Sequence, residues 1–505
     1  MSRAVRAGDL GVLVRLPAVG GNEILALARQ AEELADVAVA VPGLESVLLL
    51  FDRAESVPSL ENVVRALTGP ARPAPEVETR SHRVEVSFAD EDAPDLPRLL
   101  QSAGMSKDAF LAAVAELRLS ARFLGFRPGF AYLEGIPQEW ALPRRETSRR
   151  VPGGSFGIAG VMAGFYPEAS PGGWNLLGRT GESFWDPTSK RPNRIAPGDE
   201  VRIVPMESAG AVAPRRSAAA DHGEPVAEVV RPATGMMIVP PADLERNGWG
   251  LPAGGPFDPG AARKANRNLG NGEDEATLEC ALSGPALRFR SAATVSWCGA
   301  GTVATLDGQK IDEKRVIAVQ AGSLLDFVMV GGCRGYLAIA GGWGGADRFA
   351  LPAPVQRGAL LTRLRGEVSP ARIRALERST PSDIVAMVGP DPVDREWSRI
   401  LTESEWEVTP QSDRSGVRFR TARSAVGIPA SLPSSGMLFG TVQWHPDGTL
   451  VAMGPDHPVT GGYLQPMTIL STERWKLGQL RPGDRIRWRL THPPQTLSRR
   501  ILREP

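Results

Sequence analysis

The sequence predicts a mainly β protein, with a small α+β unit at its start and β-barrel domains in tandem after it. Three observations carry that expectation. Gly supplies 55 and Pro 44 of the 505 residues, well above the roughly 12% average usage of the pair, as in chains that turn often. Most apolar runs are short and cut by these residues, which suits strands better than long helices. Finally, Ala196-Pro-Gly-Asp-Glu-Val-Arg-Ile recurs as Arg481-Pro-Gly-Asp-Arg-Ile-Arg-Trp, with 285 residues between Asp199 and Asp484. Repetition at a fixed offset marks a duplicated unit.

A second pair supports the duplication. Pro171-Gly-Gly-Trp174 returns as Thr460-Gly-Gly-Tyr463, with 289 residues between Trp174 and Tyr463. A weaker third copy is expected between them, from Ala321-Gly-Ser-Leu-Leu-Asp326 and Ala340-Gly-Gly-Trp343. In the Pro-Gly-Asp turns, Pro fixes φ, Gly takes the positive-φ position and Asp caps its own turn.

Taken in order, residues 1–80 offer a strand at 11–15, a helix at 22–34 and an apolar strand at 47–51, a small α+β domain. Residues 81–206 open on the alternating Val84-Glu-Val-Ser-Phe, pass a helix at 107–117 and break into short pieces, the pattern of a closed sheet. Ala, Pro and Ser crowd 207–226, which predicts a linker. Two further barrel domains are expected at 227–380 and 381–491, with helices near 260–269 and 369–378, and a loose tail at 492–505.

Composition excludes several function classes. Lys and Arg number 58 against 57 Asp and Glu, so a net charge of +1 gives no electrostatic footprint for nucleic acid or an anionic membrane. No uncharged apolar run approaches the ~18 residues of a membrane span, and the start of the chain lacks a signal-peptide core. Cys280, Cys298 and Cys333 are odd in number and share no CxxC spacing, which argues against a disulfide framework and fits a reducing cytoplasm. His82, His222, His445, His457 and His492 are scattered, so no metal site is expected, and no Gly-x4-Gly-Lys loop is present.

The densest pattern runs from 123 to 180: FLGFRPGFAYLEGIP, VPGGSFGIAG and FYPEASPGGWNLLGRT. Its glycines admit close approach of backbone or ligand, and Ser155, Tyr166, Ser170 and Arg179 set a few polar groups among aromatics, as pockets are lined. Barrel corners and tight hairpins require the same glycines.

With RRVPGGSFGIAG, YPEASPGGWNLLGRT and PGDEVRIVP in this order, residues 1–206 resemble allophanate-hydrolase subunit 1, the family that includes the 5-oxoprolinase B-subunit and sporulation-kinase inhibitors. Past 226, GLPAGGPFDPGAARKANRNLGN, ATLECALSGPALRF, SDRSGVRF and GTVQWHPDGTLVAMGPDHPVTGGYLQPMTIL resemble allophanate-hydrolase subunit 2, which includes the 5-oxoprolinase C-subunit. The fused pair also resembles the carboxyltransferase region of biotin-dependent urea carboxylase.

That resemblance implies cyclophilin-like barrels. It further implies an ATP-dependent hydrolase, using ATP with Mg2+, that opens 5-oxoproline to glutamate. Its expected partner is separate and lactam-binding, the lactam-hydrolase-like A-subunit of 5-oxoprolinase, with homo-oligomerisation left open. Two alternatives follow: a carboxyltransferase module fed by biotin on a partner, or a non-catalytic kinase regulator. Position by position, the resemblance puts Ser155, Tyr166, Gly172, Gly173, Arg179, Asp258, Arg414, Thr460, Gly461 and Gly462 at substrate, with Asp456, Tyr463 and Gln443 as catalytic candidates and Asn266 and Asn271 in a family helix. Arg179 is the natural anion anchor because its fork binds bidentately, and it reads equally as a surface ion pair. Asp258, followed by Pro259, reads equally as a helix N-cap, and Asp456 as a brace for the turn before Pro458. Departures fall at Ala242, Glu245, Met162 and 347–352, which puts the familiar substrate in doubt.

Overall fold

The computed structural model describes the chain except residues 1–2, 69–78, 146, 211–222, 313–315, 346–348, 350, 366–375, 424–426 and 493–505. Its N-terminal unit is an antiparallel sheet in which Arg3–Arg6, Gly11–Arg15, Ser46–Phe51 and Val37–Pro42 lie side by side in that order. Ser46–Phe51 is buried along its whole length, which explains its lack of alternation. Val47, Leu49 and Phe51 face the helices Gly21–Glu32 and Leu60–Thr68, whereas Leu48 and Leu50 pack with Leu438 of the second barrel. The same junction is pinned by polar contacts. Leu44 N–H donates to the Ser434 carbonyl at 2.8 Å, and the Asp9 carboxylate accepts from Ser471 N–H at 3.0 Å and from its hydroxyl.

Two closed seven-stranded barrels follow, at Ser81–Met206 and Asp383–Thr491, and they share one topology. In each, the first strand pairs in parallel with the last: Ser81–Ser87 with Glu200–Met206, and Asp383–Val388 with Arg485–Thr491. The repeated turn precedes that closing strand both times. Asp199 accepts from Ala196 N–H at 2.9 Å and Arg80 N–H at 3.1 Å, and Asp484 accepts from Arg481 N–H at 2.6 Å. The repeated Gly-Gly segments also match, each beside a two-stranded ribbon outside the barrel: Arg149–Val151 with Ser170–Gly172, and Ser435–Gly436 with Thr460–Gly461. The cores are Val84, Phe110 and Phe165 with their neighbours in one barrel, and Trp406, Trp444 and Trp488 with theirs in the other.

Between the barrels the described residues do not form the expected third copy. The region holds two open sheets of six strands each rather than a closed barrel. Leu324–Met329, which follows Gly322, pairs antiparallel on both sides, so the turn at 321–323 serves an ordinary sheet. The helix expected at 260–269 forms as Pro259–Leu269. That expected at 369–378 lies largely outside the described residues, and its last part, Glu377–Arg378, is a strand paired in parallel with Gly299–Ala300. Most of the linker and all but the first residue of the tail also lie outside the described residues, although the strand Glu224–Arg231 begins before position 226. Cys280, Cys298 and Cys333 are free and buried. Among the described residues no helix is long and apolar enough to cross a membrane.

Candidate functional site

The first candidate site lies on the seam between the two barrels. Strand Leu119–Leu124 ends at Gly125, and a Cβ there would run into the Thr460 hydroxyl of the second barrel. Phe126 next to it has φ +62°, a left-handed conformation that costs a non-glycine residue on the order of 1 kcal/mol and clusters at functional sites. From the second barrel, strand Thr441–Trp444 brings Gln443 and the outer ribbon brings Thr460 and Gly461. Gly461 lies close against this face: a Cβ would sit 2.5 Å from Gln443 Nε2 and 2.8 Å from Met437 Sδ, so any larger residue would push those side-chain ends aside. Tyr463 stacks on His445 with ring centroids 4.1 Å apart.

Three polar atoms here find no hydrogen-bond partner among the described residues: Gln443 Nε2, Thr460 Oγ1 and His445 Nε2. Gln443 is 3% and Thr460 4% exposed. Each such atom left unsatisfied costs about 1–3 kcal/mol, so the cluster calls for a partner, which an ordered water or a ligand can supply. Burial, helped by the Arg418 charge, lowers His445 to about 4, so its ring is neutral at pH 7.

The first barrel supplies the other wall. Gly172 closes on the Tyr166 ring, where a Cβ would lie 2.5 Å from the hydroxyl, and Gly173 lies under Arg144. The Arg144 charge acts on Tyr132, Tyr166 and His445, and so reaches across the seam. Phe126, Phe130, Tyr132 and Trp174 complete an edge-to-face aromatic cluster around Tyr166. Burial raises the Tyr166 and Tyr132 hydroxyls above their usual range.

A second polar cluster sits between the central sheets and the second barrel. Arg414 donates from Nε to Asp456 at 2.6 Å and from a terminal nitrogen to Glu279 at 2.6 Å, with a further bond to the Gly255 carbonyl at 2.8 Å. Glu279, 1% exposed, also accepts from the Tyr336 hydroxyl at 2.9 Å and Phe257 N–H at 3.1 Å. Burial would raise the Glu279 carboxyl, but Arg414 and Arg334 hold it below the usual carboxylate range. The same two acids, Glu279 and Asp456, overcome burial and push Arg414 upward. Asp258, fully buried, accepts from Ala261 N–H at 3.0 Å as the N-cap of Pro259–Leu269 and from Arg378 at 2.9 Å. A cavity of about 460 Å³ opens on this web, lined by Glu279, Arg334, Arg414, Asp456 and Cys333.

The thirteen residues singled out in the sequence are therefore not gathered in one pocket. Gln443, Thr460, Gly461 and Tyr463 share the seam with Tyr166, Gly172 and Gly173, while Gly462 backs onto the Leu432 carbonyl. Arg414 and Asp456 belong to the buried ion web, with Asp258 beside it. Arg179 pairs with Asp92 at 3.3 Å, and the Ser155 hydroxyl donates to the Pro152 carbonyl at 2.8 Å. Asn266 and Asn271 tie the helix end to the backbone at Glu275 and Ile339, both at 2.8 Å. Sequence reasoning missed Glu279, Arg334, Tyr336, Arg144 and His445. The one usable signal was Glu279 itself, a lone charge inside the apolar run TLECAL.

Among the departures, Met162 is a buried strand residue, and Glu245 is exposed in the 3-10 helix Leu244–Trp249, its N–H donating to Asp243 at 3.0 Å. Residues 347, 348 and 350 lie outside the described residues. No cluster of three metal-binding side chains occurs among the described residues.

Comparison with known proteins matches both halves. Residues 3–195 match the family model of the carboxyltransferase domain, subdomain C and D, and residues 249–490 that of subdomain A and B. The 5-oxoprolinase B-subunit of Escherichia coli O157:H7 is 33% identical over 212 residues, 41% of this chain and 97% of its own length. The 5-oxoprolinase C-subunit of Haemophilus influenzae is 28% identical over 279 residues, 49% of this chain and 86% of its own. A putative urea carboxylase of Emericella nidulans is 32% identical over 284 residues, half of this chain, which spans only 23% of that relative. The crystal structure of the protein TTHA0988 superposes with a TM-score of 0.82 at 30% identity, covering 95% of this chain and 99% of the other.

Proposed function

This chain belongs to the carboxyltransferase-domain family, with both halves of the family's domain in one polypeptide, and from that premise we propose that it is a fused B and C component of an ATP-dependent 5-oxoprolinase. It works with a separate lactam-binding partner, and together they open 5-oxoproline to glutamate. The unpartnered polar set on the barrel seam carries the reading. A five-membered lactam presents one carbonyl oxygen and one N–H, and the groups waiting at the seam are a Gln443 amide N–H, a Thr460 hydroxyl and a His445 ring nitrogen.

The Gln443 N–H and the Thr460 hydroxyl would donate to the oxygen that gains charge during attack, a placement worth most in a site from which water is excluded. Tyr463, stacked on His445, fixes the ring wall against which a flat lactam lies. Asp456 acts through Arg414 as a positioning residue, since both of its oxygens already accept from that guanidinium, at 2.6 and 3.0 Å. ATP, when bound to the complex with Mg2+, supplies the phosphoryl group that activates the amide carbonyl.

The test is ADP and glutamate release by this chain mixed with its lactam-binding partner, with and without 5-oxoproline. Turnover stimulated by the lactam and lost in Gln443→Ala and Thr460→Ala supports the reading; no stimulation with a partner of verified activity overturns it. The match to a protein named urea carboxylase favours a second reading, a carboxyltransferase module. In that case carboxybiotin on an added biotin carrier would be the co-substrate, and the activity seen would be transfer of its carboxyl group to the nitrogen of an amide acceptor, with biotin and the carboxylated amide as products.

A further inference from the structure

A second cavity, of about 530 Å³, lies between the N-terminal unit and the first barrel, within the range of small-ligand sites and at the kind of domain junction where they concentrate. One wall is the helix Gly21–Glu32 with the strand Val37–Pro42, and the other is the loop from Arg191 through the repeated turn at Asp199. Four guanidinium groups line it: Arg29, Arg80, Arg191 and Arg194. Two carboxylates in the lining oppose them. Asp199 is already engaged by His82 at 2.8 Å and by two backbone N–H groups, and burial pushes the Glu32 carboxyl upward, toward its neutral form. Glu182, outside the lining, pairs with Arg194. The cavity is thus positive, although the chain as a whole is almost neutral.

Two further groups specify more than charge. The partly exposed Trp249 indole lines the cavity and offers a flat apolar face. Asn193, 6% exposed, donates from Nδ2 to the Trp249 carbonyl at 2.8 Å, which fixes the orientation of its amide. Its other atom, Oδ1, is a buried acceptor with no partner among the described residues. A ligand that satisfies this set carries several negative charges at one end, for which arginine forks are suited. At its other end it carries a flat ring with an N–H on its edge. We infer that this cleft binds a nucleoside phosphate, with the phosphates on Arg29, Arg191 and Arg194, the base on Trp249 and a ring N–H on Asn193 Oδ1.

The inference rests on the cavity alone and stands whether or not the chain serves a 5-oxoprolinase. It also separates the question of where a nucleotide binds from that of which amide is opened.

Calorimetric titration of the full chain, without partner, with ADP, adenosine and inorganic pyrophosphate tests it. ADP is expected to bind with a stoichiometry of about one and at least tenfold more tightly than either fragment, since each fragment offers only half of the recognised features. Arg191→Ala/Arg194→Ala should weaken ADP at least tenfold, and so should Trp249→Leu. Both arginines are exposed, so loss of fold is not expected, and an unchanged thermal midpoint verifies that. No heat with ADP at millimolar concentration, pyrophosphate binding as tight as ADP, or ADP affinity unchanged in the double variant would each overturn the assignment. None of these results bears on lactam turnover by the complex, which is read separately as glutamate release.

Discussion

Removing Arg414 should be among the most damaging single changes in this protein, and its cost can be worked from the contacts. The Arg414 side chain is 10% and that of Glu279 1% exposed, so Arg414→Ala strands a buried carboxylate without its closest cation. Breaking one side of a buried ion pair typically costs ~3–5 kcal/mol. Glu279 would keep the Tyr336 hydroxyl at 2.9 Å, Phe257 N–H at 3.1 Å and a looser approach from Arg334 at 3.5 Å. The loss therefore belongs near the lower end, about 3 kcal/mol. The pH dependence has a defined sign. In the native chain Glu279 titrates below its unfolded value, so its contribution is present above that value and is lost only as pH falls through the depressed one. Without Arg414, burial dominates, the folded value rises above the unfolded one, and the penalty is relieved on acidification. The stability gap between native and variant chains should narrow between pH 7 and pH 5. Urea unfolding at both pH values, followed through the tryptophans of the second barrel, reads this as a midpoint shift. Glu279→Met combined with Arg414→Met should recover most of the loss, because apolar replacement of a buried pair is often neutral. A single variant within about 1 kcal/mol of native, well under the expected cost, or a gap that widens on acidification, would refute the reasoning.

Gly125→Ala should force the barrels apart at Thr460, costing roughly 1–3 kcal/mol as an overpacking change. Adding Thr460→Ala, which removes the clashing hydroxyl, should recover part of that loss in a double-mutant cycle of thermal midpoints. His445 and His457 titrate at about 4, below the unfolded value near 6.5, so unfolded chains bind more protons in that window. Stability should therefore fall as pH drops from 6.5 toward 4, and His445→Gln should flatten part of that slope in acid-unfolding curves. Burial raises all three thiols, Cys298 to about 11, so an aromatic disulfide reagent should label none in the native chain and three after denaturation.

Much of the fold was legible because local rules sufficed for it. The strand at 11–15 and the helices at 107–117 and 260–269 have the right period and caps, such as the Ser106 hydroxyl accepting from Ala109 N–H at 3.2 Å. The duplication was legible because Pro-Gly-Asp and Gly-Gly-aromatic turns tolerate little change in sequence. The same turns misled at 321–326, where Gly and Ser make an ordinary turn in an open sheet. Helices such as Leu96–Ala103 and Arg395–Glu403 went unnoticed: each is short, and its boundaries show only in context. The site was legible by residue type but not by grouping. Nothing local in the sequence says that Arg414 reaches Glu279, 135 positions away, or that Gly125 meets Thr460. Those pairings arise only when the second barrel docks on the central sheets and on the first barrel.

Duplication gives both barrels one framework, on which each presents different side chains at the seam. Gly172 and Gly461 occupy equivalent places on equivalent outer ribbons, and each closes on whatever side chain the barrel presents beneath it. In the first barrel that is the Tyr166 ring, wedged among Phe126, Phe130 and Trp174 and already bonded to the Trp174 backbone. In the second it is Gln443, whose amide nitrogen has no partner among the described residues. A tyrosine held in an aromatic cluster gains stability from packing and presents a fixed surface. An unpartnered buried amide instead forfeits stability, which makes sense only where another molecule completes it. Under the proposed function the first copy would serve as a wall and the second as the reactive face, and Tyr166→Phe should cost little activity where Gln443→Ala abolishes it. Equal losses in the two variants, measured as kcat at saturating lactam, would contradict that division.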